Sequence, residues 1–217
     1  MSFLIKIKEK VPKSVWDTGK SIKNTIYKWK YRTLGRPFVP GETSKAYQRR
    51  LKEGFFEKYC SGRGLDVGFG GDLVCKNADG YDFEHGDAQY LSNIKDEMYD
   101  FLYSSHTLEH LPDPKVSLKN WYRVIKKGGY LIVSIPHRDL YEKKKTLPSR
   151  FNPYHLNYFL IENDEAPDTI GVLPLLEKTI SNYELIYIKE CSDGLTITDP
   201  LKHSNGEYSI EFVLRKK

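Results

Sequence analysis

The sequence has almost no cysteine. Cys60, Cys75 and Cys191 are scattered and odd in number, which suits neither a disulfide framework nor a zinc site. Long apolar runs are missing as well. None approaches the roughly 18 residues of a membrane span. Only Phe3-Leu4-Ile5 precede the first lysine, too short for the apolar core of a signal peptide. No Lys-Ser or Lys-Thr follows the glycine-rich stretch, so there is no P-loop. Internal repeats are also missing. The expectation from these absences is a protein of the reducing cytoplasm.

What is present suits one packed domain. The chain has 217 residues, of which 39% are hydrophobic and 29% charged, enough for a core and too apolar for wholesale disorder. The net charge of +5 is unevenly spread. Residues 1–36 hold ten Lys/Arg against Glu9 and Asp17 alone, so the rest of the chain is mildly acidic. A basic arm on an acidic body argues against a nucleic-acid-binding core and towards a localised anionic partner. Val11, Val15, Ile22, Ile26 and Trp29 recur as on one helical face. Two readings stand open: a helix lying peripherally on the anionic inner face of a membrane, or one packed on its own domain or a partner. Gly35-Arg36-Pro37 and Pro40-Gly41 mark a linker, so residues 1–41 read as arm and 42–217 as the domain.

Within the domain, Tyr47, Leu51, Phe55 and Tyr59 predict one helix over 42–63. Strands and helices then alternate. Strands are predicted at 64–68, 99–104, 130–135, 183–189 and 208–214. Helices are predicted at 114–127, opened by Pro114 and closed by Gly128-Gly129, and at 174–180. That alternation implies an α/β fold with a mostly parallel sheet and covering helices.

The most informative stretch is Leu65-Asp66-Val67-Gly68-Phe69-Gly70-Gly71-Asp72. A strand running into glycines brings backbone close to a ligand at the carboxyl edge of the sheet. A dinucleotide fingerprint needs a glycine at 73, where the chain has Leu73, so a nicotinamide cofactor is disfavoured. An acidic residue before the turn suits a ligand carrying positive charge. Downstream come Gly86-Asp87-Ala88-Gln89, then Ser104-Ser105-His106-Thr107-Leu108-Glu109-His110-Leu111, then Arg123-Val124-Ile125-Lys126-Lys127-Gly128-Gly129-Tyr130, and Ile135-Pro136-His137. In this order and spacing residues 45–160 resemble the class I S-adenosylmethionine-dependent methyltransferases, small bacterial type 11-like members in particular.

The resemblance implies a Rossmann-like fold with a seven-stranded sheet and S-adenosyl-L-methionine as cofactor. Gly68, Phe69, Gly70 and Gly71 would wrap the methionine portion, with Asp66 orienting the loop or the amino group. Asp82 would hold the ribose hydroxyls, Asp87 the adenine amino group, and Ala88 would meet the ring. Ser105 and His106 would line the methyl-bearing end, with Glu109 and His110 fixing the loop. The chain departs from the family at Phe69, where a small residue or cysteine is common. Only residues 72–81 separate the turn from Asp82, and no helix fits between Asp82 and Asp87. The layers there are therefore expected to be trimmed.

Methyl transfer from a sulfonium requires alignment of the nucleophile and exclusion of water, and a hydroxyl acceptor also requires a base. His106 and His137, at strand ends on the active edge, are the candidates, with Asp139 placed to orient His137. His106 is equally readable as a loop histidine capped by backbone, and His137 reads more readily as a solvated loop histidine than as a base. Residues 138–170 form a lid-like insertion in which Arg138, Tyr141, Arg150 and His155 are candidate substrate contacts. Cations among aromatics there suit a phosphorylated acceptor. Methyltransferases of this look accompany surface-polysaccharide genes, which implies O-methylation of a sugar or glycan precursor. The rival reading is a non-catalytic Rossmann-like module recruited by its basic arm. No metal is expected, because no His/Asp/Glu cluster has ligand spacing along the chain.

Overall fold

The computed structural model describes residues 41–217. The basic arm expected at 1–36 and its linker, apart from Gly41, lie outside the described residues. Among those described, no helix is long and apolar enough to cross a membrane.

The segment predicted as one helix is three: α1 (Glu42–Lys45), α2 (Tyr47–Lys52) and α3 (Phe55–Tyr59). Gly54, with φ +64°, turns the chain between α2 and α3. The expected apolar stripe is broken accordingly, with Leu51 exposed and Arg50 buried in its stead. Arg50 meets Glu211 through Nε at 2.8 Å and Nη2 at 2.6 Å, and donates to the Tyr103 hydroxyl at 2.7 Å. Arg49 adds contacts to Glu207 at 2.7 Å and Glu211 at 3.1 Å. A buried charge is tolerated only when paired and hydrogen-bonded, so this network fixes α2 against the sheet.

The sheet is built from β1 (Gly64–Val67), β2 (Ala78–Tyr81), β3 (Tyr99–Ser105), β4 (Ile125–Pro136), β7 (Tyr183–Cys191) and β8 (Ser209–Lys216), in the order β2-β1-β3-β4-β8-β7. β2, β1, β3 and β4 are parallel, and β8 runs antiparallel to both β4 and β7. Among the described residues this sheet has six strands, where the resemblance implied seven and the short spacing implied trimming. The chain between β1 and β2 has no helix, and residues 82–98 form turns instead of an outer strand and its crossover helix. The short spacing around Asp82 had left no room for those layers.

Helix α4 (Pro114–Arg123) is capped by Asp113, whose Oδ1 accepts from Lys115 N at 2.9 Å and Val116 N at 3.2 Å. It ends at Arg123, four residues short of the prediction. Gly128-Gly129 belong to β4, not to a helix cap. A Cβ on Gly129 would meet Asp100 O at 2.4 Å, so the glycine lets β4 pass close to β3. Helix α5 (Val172–Thr179) follows a two-stranded parallel ribbon, β5 (Tyr158–Leu160) and β6 (Thr169–Gly171), which forms part of the insertion. The main core joins both sheet and helices through Leu65, Val67, Leu102, Trp121, Leu131, Val133, Leu176 and Phe212.

Burial alone would raise the Glu211 carboxyl, but Arg50 and Arg49 outweigh it and hold it down to about 2. Glu211→Gln therefore lowers stability at pH 7 by about 3–5 kcal/mol, the usual result of breaking a buried pair. The depressed carboxylate contributes above its unfolded value of about 4.3, and that contribution is lost as pH falls towards 2. Urea unfolding at pH 7 and pH 3 should show the gap between wild type and variant narrowing in acid.

Candidate functional site

Four strand tips meet at one edge of the sheet. β1 ends at Val67, β2 at Tyr81, β3 at Ser105 and β4 at Pro136. Gly68 N donates to Tyr81 O at 2.8 Å, which joins the glycine turn to the end of β2. Ser104 Oγ and Thr107 Oγ1 donate to Val67 O at 2.9 and 3.2 Å, which joins it to the end of β3. Gly68, Gly70 and Gly71 all have positive φ. A Cβ on Gly68 would strike Thr107 Oγ1 at 1.9 Å, so no other residue fits there. A Cβ on Gly70 would meet nothing within 4 Å: its backbone faces open space that a ligand can enter.

Asp66 is buried beneath the turn. Its Oδ2 accepts from Val74 N at 2.7 Å, and its Oδ1 has no hydrogen-bond partner among the described residues. Burial pushes this carboxyl well above the usual range, a bias that a cationic ligand group would reverse. Phe69 has a different role from the one expected. Its ring is buried against Gly80 of β2, where a Cβ would lie 2.6 Å from it. Only its backbone belongs to the turn.

Asp82 follows β2 directly and is half-buried beside the turn, with its Oδ1 accepting from Phe83 N at 2.9 Å. Asp87 is exposed, and its Oδ1 accepts from Gln89 N at 2.7 Å. Ala88 packs on the core, and its carbonyl accepts from Trp121 Nε1 at 2.7 Å. Asp66, Gly68, Gly70, Gly71, Asp82, Ser105 and His106 are thus brought to one edge, with Asp87 and Ala88 on the turn that follows β2. An open glycine cradle and an unpartnered buried carboxyl oxygen fit the methionine end of a sulfonium nucleoside.

His106 takes a left-handed conformation, φ +51°, just past β3. Its Nε2 lies 2.8 Å from Ser209 Oγ and 3.8 Å from Glu42 Oε2, and its ring stands edge-on to Tyr208. Burial lowers its value to about 4, against the opposing pull of Glu42. The imidazole is therefore neutral at pH 7. Glu42, Lys45, Tyr208 and Ser209 gave no sequence signal as site residues. Tyr208 Oη donates to Glu42 Oε1 at 2.8 Å and accepts from Lys45 Nζ. These four come from α1 and from the chain entering β8, at opposite ends of the domain's sequence.

The arrangement of His137 differs from the one expected. Asp139 does not orient the ring with its carboxylate, which pairs with Arg138 at 2.8 Å. Instead Asp139 N donates to His137 Nδ1 at 3.2 Å, capping the single π turn Arg138–Glu142. The cations of the insertion also have partners within the protein. Arg138 is buried and bonded to Glu165 at 2.6 Å and Thr169 at 3.1 Å. Lys143 donates to the carbonyls of Ile197, Asp199 and Lys202, and Arg150 to that of Pro200. These groups tie loops together, which argues against the expected phosphate contacts. Tyr141 and His155 are buried and stacked at 5.1 Å, close to His106.

The family model described as a methyltransferase domain matches residues 71–133. A probable S-adenosylmethionine-dependent methyltransferase of Mycolicibacterium smegmatis is 26% identical over 175 residues, covering 64% of this chain and 67% of that one. The chain carries a methyltransferase domain and is similar to S-adenosylmethionine-dependent methyltransferases. Among solved structures, one from work on conversion of a disulfide bond into a thioacetal group in echinomycin biosynthesis is 15% identical. Its TM-score is 0.50, covering 79% of this chain and 80% of that one. An S-adenosylmethionine-dependent methyltransferase of Archaeoglobus fulgidus is 18% identical with a TM-score of 0.49, covering 79% and 92%. The likeness to the echinomycin-pathway structure is one of fold. The fold is the Rossmann-like class I arrangement with one outer strand removed, and S-adenosyl-L-methionine is the cofactor of this methyltransferase.

The two turn glycines separate folding from binding. Gly68→Ala should unfold at lower temperature, because Thr107 cannot yield. Gly70→Val should stay folded, at a cost of about 1–2 kcal/mol for its backbone. It should nonetheless weaken S-adenosylhomocysteine binding by at least about tenfold, roughly 1.4 kcal/mol. Isothermal titration and thermal melting of both variants check this.

Proposed function

We propose that this methyltransferase modifies a hydroxyl group, with a saccharide-like glycan precursor as acceptor and His106 as general base. Neutral His106 at the tip of β3, 2.8 Å from Ser209 Oγ, carries the reading. A base must be unprotonated to accept the hydroxyl proton, and burial keeps this one so. When bound, the cofactor supplies an activated methyl group on a sulfonium. The chain's part is to align the acceptor oxygen, exclude water and remove its proton. Tyr141, Phe151, His203 and Tyr208 form a ring cluster beside His106, with centroids 5.0–6.1 Å apart. Tyr141 and Tyr208 are the buried support of this cluster, and Phe151 and His203 are its accessible rings, suited to stacking on the apolar face of a sugar.

The insertion's paired cations argue for an acceptor recognised by stacking and hydrogen bonds more than by phosphate contacts. His137 is better suited to holding the π turn than to proton transfer, because its Nδ1 is occupied by Asp139 N.

S-adenosylhomocysteine release across free sugars, nucleotide sugars, catechols, amines and peptides tests the acceptor class. Turnover on a sugar hydroxyl is expected, and turnover on amines or peptides alone would contradict it. His106→Gln should lower kcat by about 10²–10⁴ while leaving S-adenosylhomocysteine affinity within about twofold. Wild-type kcat/KM should stay flat above pH 5 and fall only towards pH 4, the value of the free base. A fall centred near 6.5, the ordinary histidine value, would assign the base elsewhere.

A further inference from the structure

Glu109 is the most isolated acidic group among the described residues. It sits in the single 3₁₀ turn Leu108–His110 after β3, fully buried, and neither carboxyl oxygen has a hydrogen-bond partner. An unpaired buried carboxylate is costly. Three imidazoles face it nevertheless, two of them through Nε2. Its Oε1 lies 3.7 Å from His110 Nε2 and 3.8 Å from His155 Nε2. Those distances are too long for hydrogen bonds.

The other ring nitrogens decide what faces Glu109. His110 Nδ1 lies 3.0 Å from Tyr154 O, and a carbonyl only accepts, so Nδ1 carries the proton. His155 Nδ1 is hydrogen-bonded to Glu142 Oε1, and Glu142 also accepts from Ser149 Oγ. In the neutral form of either ring Nε2 is therefore a bare lone pair. Two lone pairs and a carboxylate converge with nothing positive between them. An outer carboxylate or carbonyl fixing the tautomer of an imidazole is the usual surrounding of a metal-binding histidine.

We propose that Glu109, His110 and His155 bind a divalent transition-metal ion of the zinc type. The three ligand atoms lie within 4.8 Å of one another. Ligand atoms around a tetrahedral zinc stand about 3.3 Å apart, so the two edges from Glu109 close by about half an ångström and the His110–His155 edge by up to about 1.5 Å, a side-chain adjustment with the backbone in place. Two nitrogens and one carboxylate oxygen form a borderline donor set that selects zinc, cobalt or iron(II) over magnesium or calcium. Three protein ligands leave a fourth position open, and the half-exposed His110 lies on the outward side of the site. The backbone is already set: Leu156 N and Asn157 N both donate to Glu109 O, at 2.8 and 3.2 Å. The ion would join the insertion, through His155, to the turn beside His106. His106 Nδ1 is itself 3.7 Å from Glu109 Oε1.

The test uses the full chain with any affinity tag removed, stripped by a chelator and titrated with Zn²⁺ and with Co²⁺. One equivalent should bind, the thermal midpoint should rise, and Co²⁺ should develop the intense visible bands of a four-coordinate centre. His110→Ala and Glu142→Gln should each weaken binding by about 10–100-fold, with His85→Ala unchanged. S-adenosylhomocysteine titration of the same samples separates this proposal from the methyltransferase assignment. Its binding within about twofold in every variant shows them folded and the cofactor site intact. No heat, no visible band and no thermal shift with either ion would overturn the proposal. So would equal affinity in wild type and His110→Ala. If His155→Ala fails to fold, His110→Ala, at the half-exposed ligand, still decides the matter.

Discussion

Gly68 lies where the ends of β1 and β2 and the Thr107 side chain converge. Its N–H is bonded to Tyr81 O, and the space a side chain would need is filled by Thr107. The Val67 carbonyl just before it accepts from two hydroxyls of the β3 end. This close approach holds three strand tips together and leaves Gly70 facing open space. Asp66, Asp82 and His106 occupy their places around the turn because of it.

A second constraint acts from the other end of the domain. The buried pair of Arg50 and Glu211 anchors the N-terminal helices to the reversed strand β8. The chain entering β8 and α1 then supply Ser209, Tyr208, Glu42 and Lys45 to the surroundings of His106. The desolvation of that histidine depends on this docking, and so does the neutral imidazole on which proton removal relies. Folding energetics and proposed chemistry are linked through one ion pair.

The glycine turn, the parallel strands β1, β3 and β4 and the position of His106 were legible because each is encoded locally, in a run of residues that must adopt one conformation; β2 was not predicted, and Asp82 was placed only through the family resemblance. The trimmed layers were legible from chain length alone. Other features depend on neighbours far away in sequence. Helix α2 breaks at Gly54 so that Arg50 can reach Glu211, which no periodicity within 42–63 reveals. Arg138 reads as a substrate contact until Glu165 and Thr169 are seen beside it. Phe69 reads as a cofactor wall until Gly80 offers it a place in the core. His155 meets Glu109 only because the insertion folds back and bonds to the Glu109 carbonyl.

The central claim is that the bend at Gly68–Gly71 receives the methionine end of the cofactor, with the nucleoside end beside Asp82. A crystal structure of the full chain with S-adenosylhomocysteine tests it most directly. The account predicts the ligand's amino acid portion against the Gly70 backbone, its ribose hydroxyls within hydrogen-bond reach of Asp82 and its sulfur facing His106. A ligand bound elsewhere on the domain, or bound there with the sulfur turned away from His106, would contradict it.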